Sequence, residues 1–234
     1  MDIYAINIED LNKSNFDYKL YNHILSEQTL SKANNYRYYQ DSVRTVIGEL
    51  LVHYFYIKNY KSSSSPLTIL RNNYGKPYCN NSDFHFNISH AGNWVIAIVD
   101  TQPVGIDIEL VSDIDYKSVI SIFHSIEGYG LEKATNKKDF FFTLWTIKES
   151  VIKNIGQGLS IPLDSFYTLL NGDQATVHFD NNDFENDQYY VKVFEFCPQY
   201  KVAACALHNN FPEAINILEP SKFLPFLLES NGIS

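Results

Sequence analysis

Apolar and acidic residues alternate from Val104 to Leu110, with Ile106 and Ile108 in one register and Asp107 and Glu109 in the other. Successive side chains of a strand point to opposite faces, so the pattern predicts a strand that buries the isoleucines and puts both carboxylates on a second, solvent-facing side. Further strands are expected at 3–8, near 67–71, and at 84–88, 94–99, 166–170, 175–179, 189–196 and 201–207. Helical periodicity covers about 26–39, then a stretch to about 58 with Asp41 as its N-cap, then 117–133 and 139–154. Gly156 and Gly158 end the last of these, since glycine readily takes the left-handed conformation that closes a helix. Residues 61–66 form a loop too short to link domains, and Tyr74-Gly75-Lys76-Pro77 forms a turn. Helices followed by strands occur in each half, which implies an α+β class with two similar, pseudo-symmetric lobes, 1–103 and 104–234. The segment after Pro212 is apolar enough to pack on the body.

Composition narrows the class. With 234 residues, 45% of them hydrophobic, the chain can bury the core of one large domain or two small ones. A net charge of −9 argues against a general nucleic-acid binder. It leaves room for an anionic ligand wherever basic residues gather locally. Cys79, Cys197 and Cys205 lack metal-binding spacing and point to reduced thiols. The first ten residues alternate like a strand and have neither the basic nor the apolar region of a signal peptide. The best apolar run, 43–57, is broken by Gly48, Glu49 and His53. A cytoplasmic protein with no membrane and no nucleic-acid partner is expected.

Candidate chemistry starts from the paired carboxylates. At about 5 Å and an effective dielectric near 20 they repel by roughly 3 kcal/mol. A divalent cation offsets that repulsion, and hard oxygen donors favour magnesium, manganese or calcium over zinc. An isolated Asp-x-Glu is also common on ordinary strands, so other segments decide. Trp145, Glu149 and Lys153 recur at i, i+4 and i+8 along one helix stripe. They are either a surface Glu–Lys pair with a packed tryptophan, or a third carboxylate for the metal and a cation for a neighbouring phosphate. Ser89 and His90 close a strand without the Gly-x-Ser-x-Gly elbow of a hydrolase, which leaves phosphate donors or turn residues as the readings. Arg44 falls in the first turn of its helix, where the helix dipole disfavours a cation unless an anion docks there. Arg71 and Lys76 flank the Gly-Pro turn, as a basic site or as solvated loop charges. Glu127 is a further acid near the metal or plain surface.

In order and over most of the chain, Tyr74–Pro77, Phe86-Asn87-Ile88-Ser89-His90, Val104–Glu109, Trp145-Thr146-Ile147-Lys148-Glu149-Ser150 and Gly156–Phe166 resemble the Sfp-type 4′-phosphopantetheinyl transferases, enzymes that activate surfactin synthetase and related carrier proteins. The resemblance implies two similar α+β lobes with coenzyme A and magnesium (or manganese) bound between them. It implies transfer of 4′-phosphopantetheine from coenzyme A to a serine of an apo-acyl, peptidyl or aryl carrier protein, with release of 3′,5′-ADP. It makes Asp107, Glu109 and Glu149 the metal ligands, with Glu149 also the base for the serine hydroxyl. Lys153 offsets charge on the departing nucleotide, and Glu127 is a further acid beside the metal. Arg44, Lys76, Ser89, His90 and Lys153 hold the phosphates, while Tyr74, Gly75, Lys76 and Pro77 line the adenine site. One segment departs from the relatives, which carry lysines where this chain has Gln28 and Ser31; Lys32 and Arg37 remain nearby. Two lobes in one chain make a monomer self-sufficient, and the carrier is expected to dock between them near Phe123. Fatty acid, polyketide, peptide and siderophore pathways are all open. The alternatives are a metal-dependent phosphohydrolase that uses the same carboxylates on water, and a non-catalytic coenzyme A-binding protein.

Overall fold

The structure, a computed structural model, describes residues 1–234 except 60–66, 80, 81, 114, 116–119, 181–183, 185, 186 and 231–234. The expected loop at 61–66 and the start of the expected helix at 117 lie outside the described residues. In chain order the first lobe contains β1 (Asp2–Asn7), α1 (Glu27–Asn35), α2 (Tyr39–Asn59), the small hairpin β2 (Ile69–Arg71) and β3 (Pro77–Cys79), β4 (His85–Ala91) and β5 (Trp94–Asp100). The second contains β6 (Val104–Leu110), α3 (Ser125–Lys133), α4 (Lys137–Ile155), β7 (Phe166–Asn171), β8 (Gln174–Phe179), β9 (Tyr190–Phe194) and β10 (Tyr200–Ala206). The chain then supplies β11 (Asn216–Leu218) and α5 (Pro220–Ser230). The class is α+β, and each lobe lays one long helix across a sheet.

In α2, Val43, Val46, Ile47, Leu50, Leu51 and Phe55 are fully buried at the spacing of one helix face. The helix opens at Tyr39 rather than at Asp41. Asp41 therefore lies in the first turn, where its charge suits the dipole, and Arg44 moves to the second turn. Ser26 caps α1 by accepting from Thr29 N, and Glu49 of α2 accepts from both the hydroxyl and the backbone N–H of Ser26. Asn136 caps α4 by accepting from Asp139 N, which starts that helix two residues before the periodicity implies. Gly156 closes it at φ 81°, a left-handed residue as expected.

The first sheet runs β11-β1-β5-β4 and the second β6-β10-β9-β8-β7. β11 pairs with β1 in parallel, and Phe223 and Leu227 of α5 enter the first lobe's core. The boundary drawn at 104–234 is thereby corrected for the tail. Residues 216–230 return to the first lobe, a long-range pairing that no local pattern encodes.

Between the lobes, Ile3, Ile96 and Ile98 of the first sheet pack against Ile106, Ile108, Val202 and Ala204 of the second. β4 and β6 are both edge strands, and their edges meet. Asn87 Oδ1 accepts from Ile106 N at 2.9 Å and Ser89 Oγ from Ile108 N at 3.4 Å. Side chains of one edge thus satisfy backbone donors of the other, which a buried edge requires.

Candidate active site

The contact between the two edges sets Asp107 directly beside Ser89. Ser89 Oγ donates to Asp107 Oδ1 at 2.9 Å, and Lys153 Nζ donates to the same carboxylate oxygen at 2.5 Å and to Ser89 Oγ at 2.9 Å. α4 brings Lys153 here because it crosses β6 at Gly105. A Cβ on that glycine would stand 2.0 Å from Ser150 O and 2.4 Å from Asn154 N. Only glycine lets the two backbones come so close. Asn154 fastens the crossing by donating to Pro103 O at 2.9 Å and Cys205 O at 3.0 Å.

Asp107 is 3% exposed, which corrects the solvent-facing position its alternation implies. The face opposite the isoleucines is covered by α4, contributed some 40 residues later. The second oxygen of this carboxylate, Oδ2, is buried with no hydrogen-bond partner. Glu109 lies two residues on, and Trp145 Nε1 donates to its Oε1 at 3.2 Å. Burial and the neighbouring Asp107 charge push the Glu109 carboxyl up to about 7, with Glu149 adding to the rise and Lys153 and Trp145 opposing it. Glu149 is also raised, first by burial and then by Asp107, against the pull of Lys153. The Asp107 charge thus acts on both glutamates, beside a buried oxygen that lacks a partner. Among the described residues no group of three or more acidic, histidine or cysteine side chains is arranged to hold a metal ion.

A cleft of about 280 Å³ opens beside this group, lined by Tyr74, Gly75, Lys76, Pro77, Glu149 and Lys153 among others. The His90 side chain is exposed, on the same strand as Ser89. Enclosure, then the positive charges of Lys153 and Arg44, hold its imidazole below the usual pKa. Arg44 is fixed by donating to Gly92 O at 2.9 Å and to Asp41 at 2.6 Å. Arg44, His90 and Lys153 therefore share one positive field next to the carboxylates.

Three expected residues are placed differently from their expected roles. The Lys76 ammonium points inward and donates to Val104 O at 3.2 Å and Asn154 O at 3.0 Å. Burial pushes its pKa down to about 8. Its backbone stays in the cleft wall, but its charge is spent on carbonyls of the second lobe. Glu127 is buried behind α4, where it accepts from Lys148 Nζ at 2.7 Å and from Thr168 N and Oγ1 at 2.9 and 3.0 Å. No hydrogen bond or ion pair among the described residues joins it to Asp107, Glu109 or Glu149. Phe123 is 4% exposed and packs on Phe141 and Trp145, so it offers no free surface for docking.

From the sequence, Asn87 and Gly105 belong to the matching motifs without an assigned role, and Asn154 is not singled out. For Asn87 a signal existed, since it shares the strand face of Ser89 at i, i+2. For Gly105 and Asn154 the cause is a helix crossing that lies outside any local window.

A sequence model of the 4′-phosphopantetheinyl transferase superfamily matches residues 103–205, and one of the 4′-phosphopantetheinyl transferase N-terminal region matches 12–102. Fold, carboxylate group and cleft go with that match: the chain belongs to the 4′-phosphopantetheinyl transferase family. Within the family it is of the Sfp type. It is 36% identical over 204 residues to 4′-phosphopantetheinyl transferase Sfp of Bacillus subtilis, covering 86% of this chain and 90% of that protein. It is 39% identical over 173 residues to the transferase gsp of Aneurinibacillus migulanus, covering 73% and 71%. Identity to the transferase psf-1 of Bacillus pumilus is 31% over 224 residues, 93% of this chain and 95% of that protein.

Proposed function

We propose that this chain transfers the 4′-phosphopantetheine arm of coenzyme A to a serine hydroxyl of an apo-carrier protein. The serine oxygen bonds to the β-phosphorus, the bond from that phosphorus to the bridging oxygen breaks, and 3′,5′-ADP leaves. The observation that carries the reading is the buried, unpartnered Oδ2 of Asp107, whose charge adds to burial in raising the pKa of Glu109 and Glu149, beside a cleft of about 280 Å³ that Glu149 and Lys153 line.

That orphaned oxygen fits a divalent cation. Asp107 through Oδ2, Glu109 and Glu149 would hold it, and an all-oxygen set suits magnesium or manganese. When bound, the ion neutralises charge on the pyrophosphate. The remaining roles fall to the protein. Lys153, tied to Asp107 and Ser89, presents a cation next to the leaving nucleotide. Ser89 is buried and orients Asp107 and Lys153, which makes it a positioning residue instead of the phosphate donor expected for it. Arg44 and His90 steer the phosphates, and the Tyr74–Pro77 turn shapes the nucleotide end. Glu149 stands at the cleft, where a carboxylate of raised pKa is a competent acceptor for the serine proton. Transfer of this kind depends mainly on positioning and charge stabilisation, which this arrangement supplies.

The test is incubation with coenzyme A, magnesium and an apo-carrier, read by intact mass. A carrier heavier by one phosphopantetheine arm on serine, absent in excess chelator, is the expected result. Hydrolysis of coenzyme A with the carrier unmodified would hand the case to a phosphohydrolase.

A further inference from the structure

We propose that the second lobe binds an extended, apolar and basic segment of a partner protein, which adds as a strand to the free end of β7. The inference stands apart from the coenzyme A reading and concerns a different face of the molecule.

Two hollows of the second lobe meet at this strand. One, of about 200 Å³, is lined by Ile126, Phe140, Leu144 and Leu169, together with Thr143 and Leu170. The other, of about 600 Å³, is lined by Phe196 and Tyr200 and shares Thr143 and Leu170 with the first. The shared pair makes one continuous groove. Ile126, Leu169 and Leu170 are 46%, 48% and 44% exposed. Apolar side chains left open around a concavity mark an interaction surface. The groove is separate from the nucleotide cleft. Phe140, Thr143, Leu144 and Ile147 share one face of α4, and Glu149 and Lys153 stand about half a turn round the helix from them.

β7 is the last strand of its sheet, so one side of its backbone has no neighbouring strand. On that side Thr168 N donates to Glu127 Oε1 at 2.9 Å, and Phe166 O accepts from Lys148 Nζ at 2.6 Å. Side chains thus close the first half of the edge. The N–H and C=O of a strand residue point to the same side, and that side alternates along the chain, so Leu170 faces outward as Thr168 does. No hydrogen bond among the described residues takes up its N–H or C=O. Proteins commonly cover such an edge. Here the bare half lies between two hollows that can receive alternate side chains of an added strand.

Charge selects the guest. Glu195 also lines the larger hollow, exposed and with no ion pair among the described residues. Lys201 and Asp173 of the same wall are already paired, with Asp139 at 2.6 Å and Lys192 at 3.9 Å. The charge left over is negative, so it favours lysine or arginine on the guest and disfavours an anionic one.

Titration with two synthetic peptides tests this. Both alternate valine and threonine over about eight residues, an ordinary strand length. One carries a lysine at each end, the other a glutamate. Fluorescence anisotropy should show the lysine peptide binding and the glutamate peptide at least about 10-fold weaker. The Leu170 amide should exchange with solvent in the free protein and become protected when the lysine peptide is bound. Leu170→Pro removes the donor at an edge that tolerates proline, and Thr143→Trp fills the junction of the hollows. Each should weaken binding at least about 10-fold at an unchanged melting temperature. If Leu170→Pro unfolds, protection of the wild-type Leu170 amide decides alone. No binding of either peptide at millimolar concentration, equal binding of both, or binding that survives both substitutions overturns the proposal. Loss in Thr143→Trp without loss in Leu170→Pro overturns it too, since the contact would then be through side chains with no added strand.

Discussion

Lys148 carries an ammonium into the interior of the second lobe, where its side chain is 0% exposed. Burial lowers its pKa, and the Glu127 carboxylate at 2.7 Å opposes that shift. The ammonium also donates to Phe166 O and lies 3.9 Å from the centre of the Phe166 ring. Breaking a buried pair from one side leaves an uncompensated charge, which typically costs about 3–5 kcal/mol. Glu127→Ala should therefore lower unfolding stability by that amount in a denaturant titration, and adding Lys148→Met should restore much of it. Turnover lost at full stability would return Glu127 to the reaction centre. The acid was legible in the sequence at position 127, but its partner was not, because Lys148 precedes Glu149 directly on the helix and so faces away from the stripe that Glu149 shares with Trp145 and Lys153. Lys148 points to the core while Glu149 points to the cleft. Asp107 presents a similar case. Alternation fixes which side of the strand it occupies, whereas a distant helix decides what covers that side.

Among elements, α4 decides the geometry of the site. Its crossing over β6 sets where Glu149 and Lys153 stand relative to Asp107, and the gap at the crossing is the missing Cβ of Gly105. The atoms such a Cβ would meet belong to backbone, so no side chain can swing aside. Gly105→Ala should push the helix off the strand and cost at least about 1–3 kcal/mol, the usual range for overpacking. Because the displacement acts on Lys153 and Glu149 together, turnover should fall further than stability. A melting curve beside a carrier-modification rate checks both, and a normal rate in a well-folded variant would deny the crossing its role. Helices and strands themselves were largely readable from apolar spacing: β6 matches residue for residue, and α4 misses only its first turn, where the Asn136 cap was overlooked. Crossings and edge contacts are not periodic properties of one segment, so the approach of Asn87 and Ser89 to β6 could not be read in advance.

Across the whole molecule, two side chains join the hairpin turn of the first lobe to the second. Lys76 reaches β6 and the end of α4, and Asn72 Nδ2 donates to Gly156 O at 2.8 Å beside it. The folded pKa of Lys76, about 8, lies below that of a free lysine near 10.4. Between those values the unfolded chain binds the proton more strongly, so the lysine's contribution to stability rises with pH over that interval and bears its full cost below pH 8. Relative to Lys76→Met, the wild type should gain about 2 kcal/mol between pH 8 and pH 10. Chemical denaturation of both proteins at the two pH values reads this directly. A constant difference would place the ammonium in solvent.

The return of β11 and α5 to the first lobe has a consequence for how the molecule is made. Synthesis runs from the N-terminus, yet the strand that completes the first sheet emerges only at Asn216–Leu218, after the whole second lobe. Until then β1 presents a bare edge of hydrogen-bonding groups, and the pocket that receives Phe223 and Leu227 stays open. Exposed edges and apolar surface of that kind invite wrong partners. The second lobe, whose strands and helices are contiguous in the chain from 104 to 206, has no such wait. The half of the protein that leaves the ribosome first is thus the half that closes last, and the nascent chain stays open to misassembly until β11 and α5 have emerged.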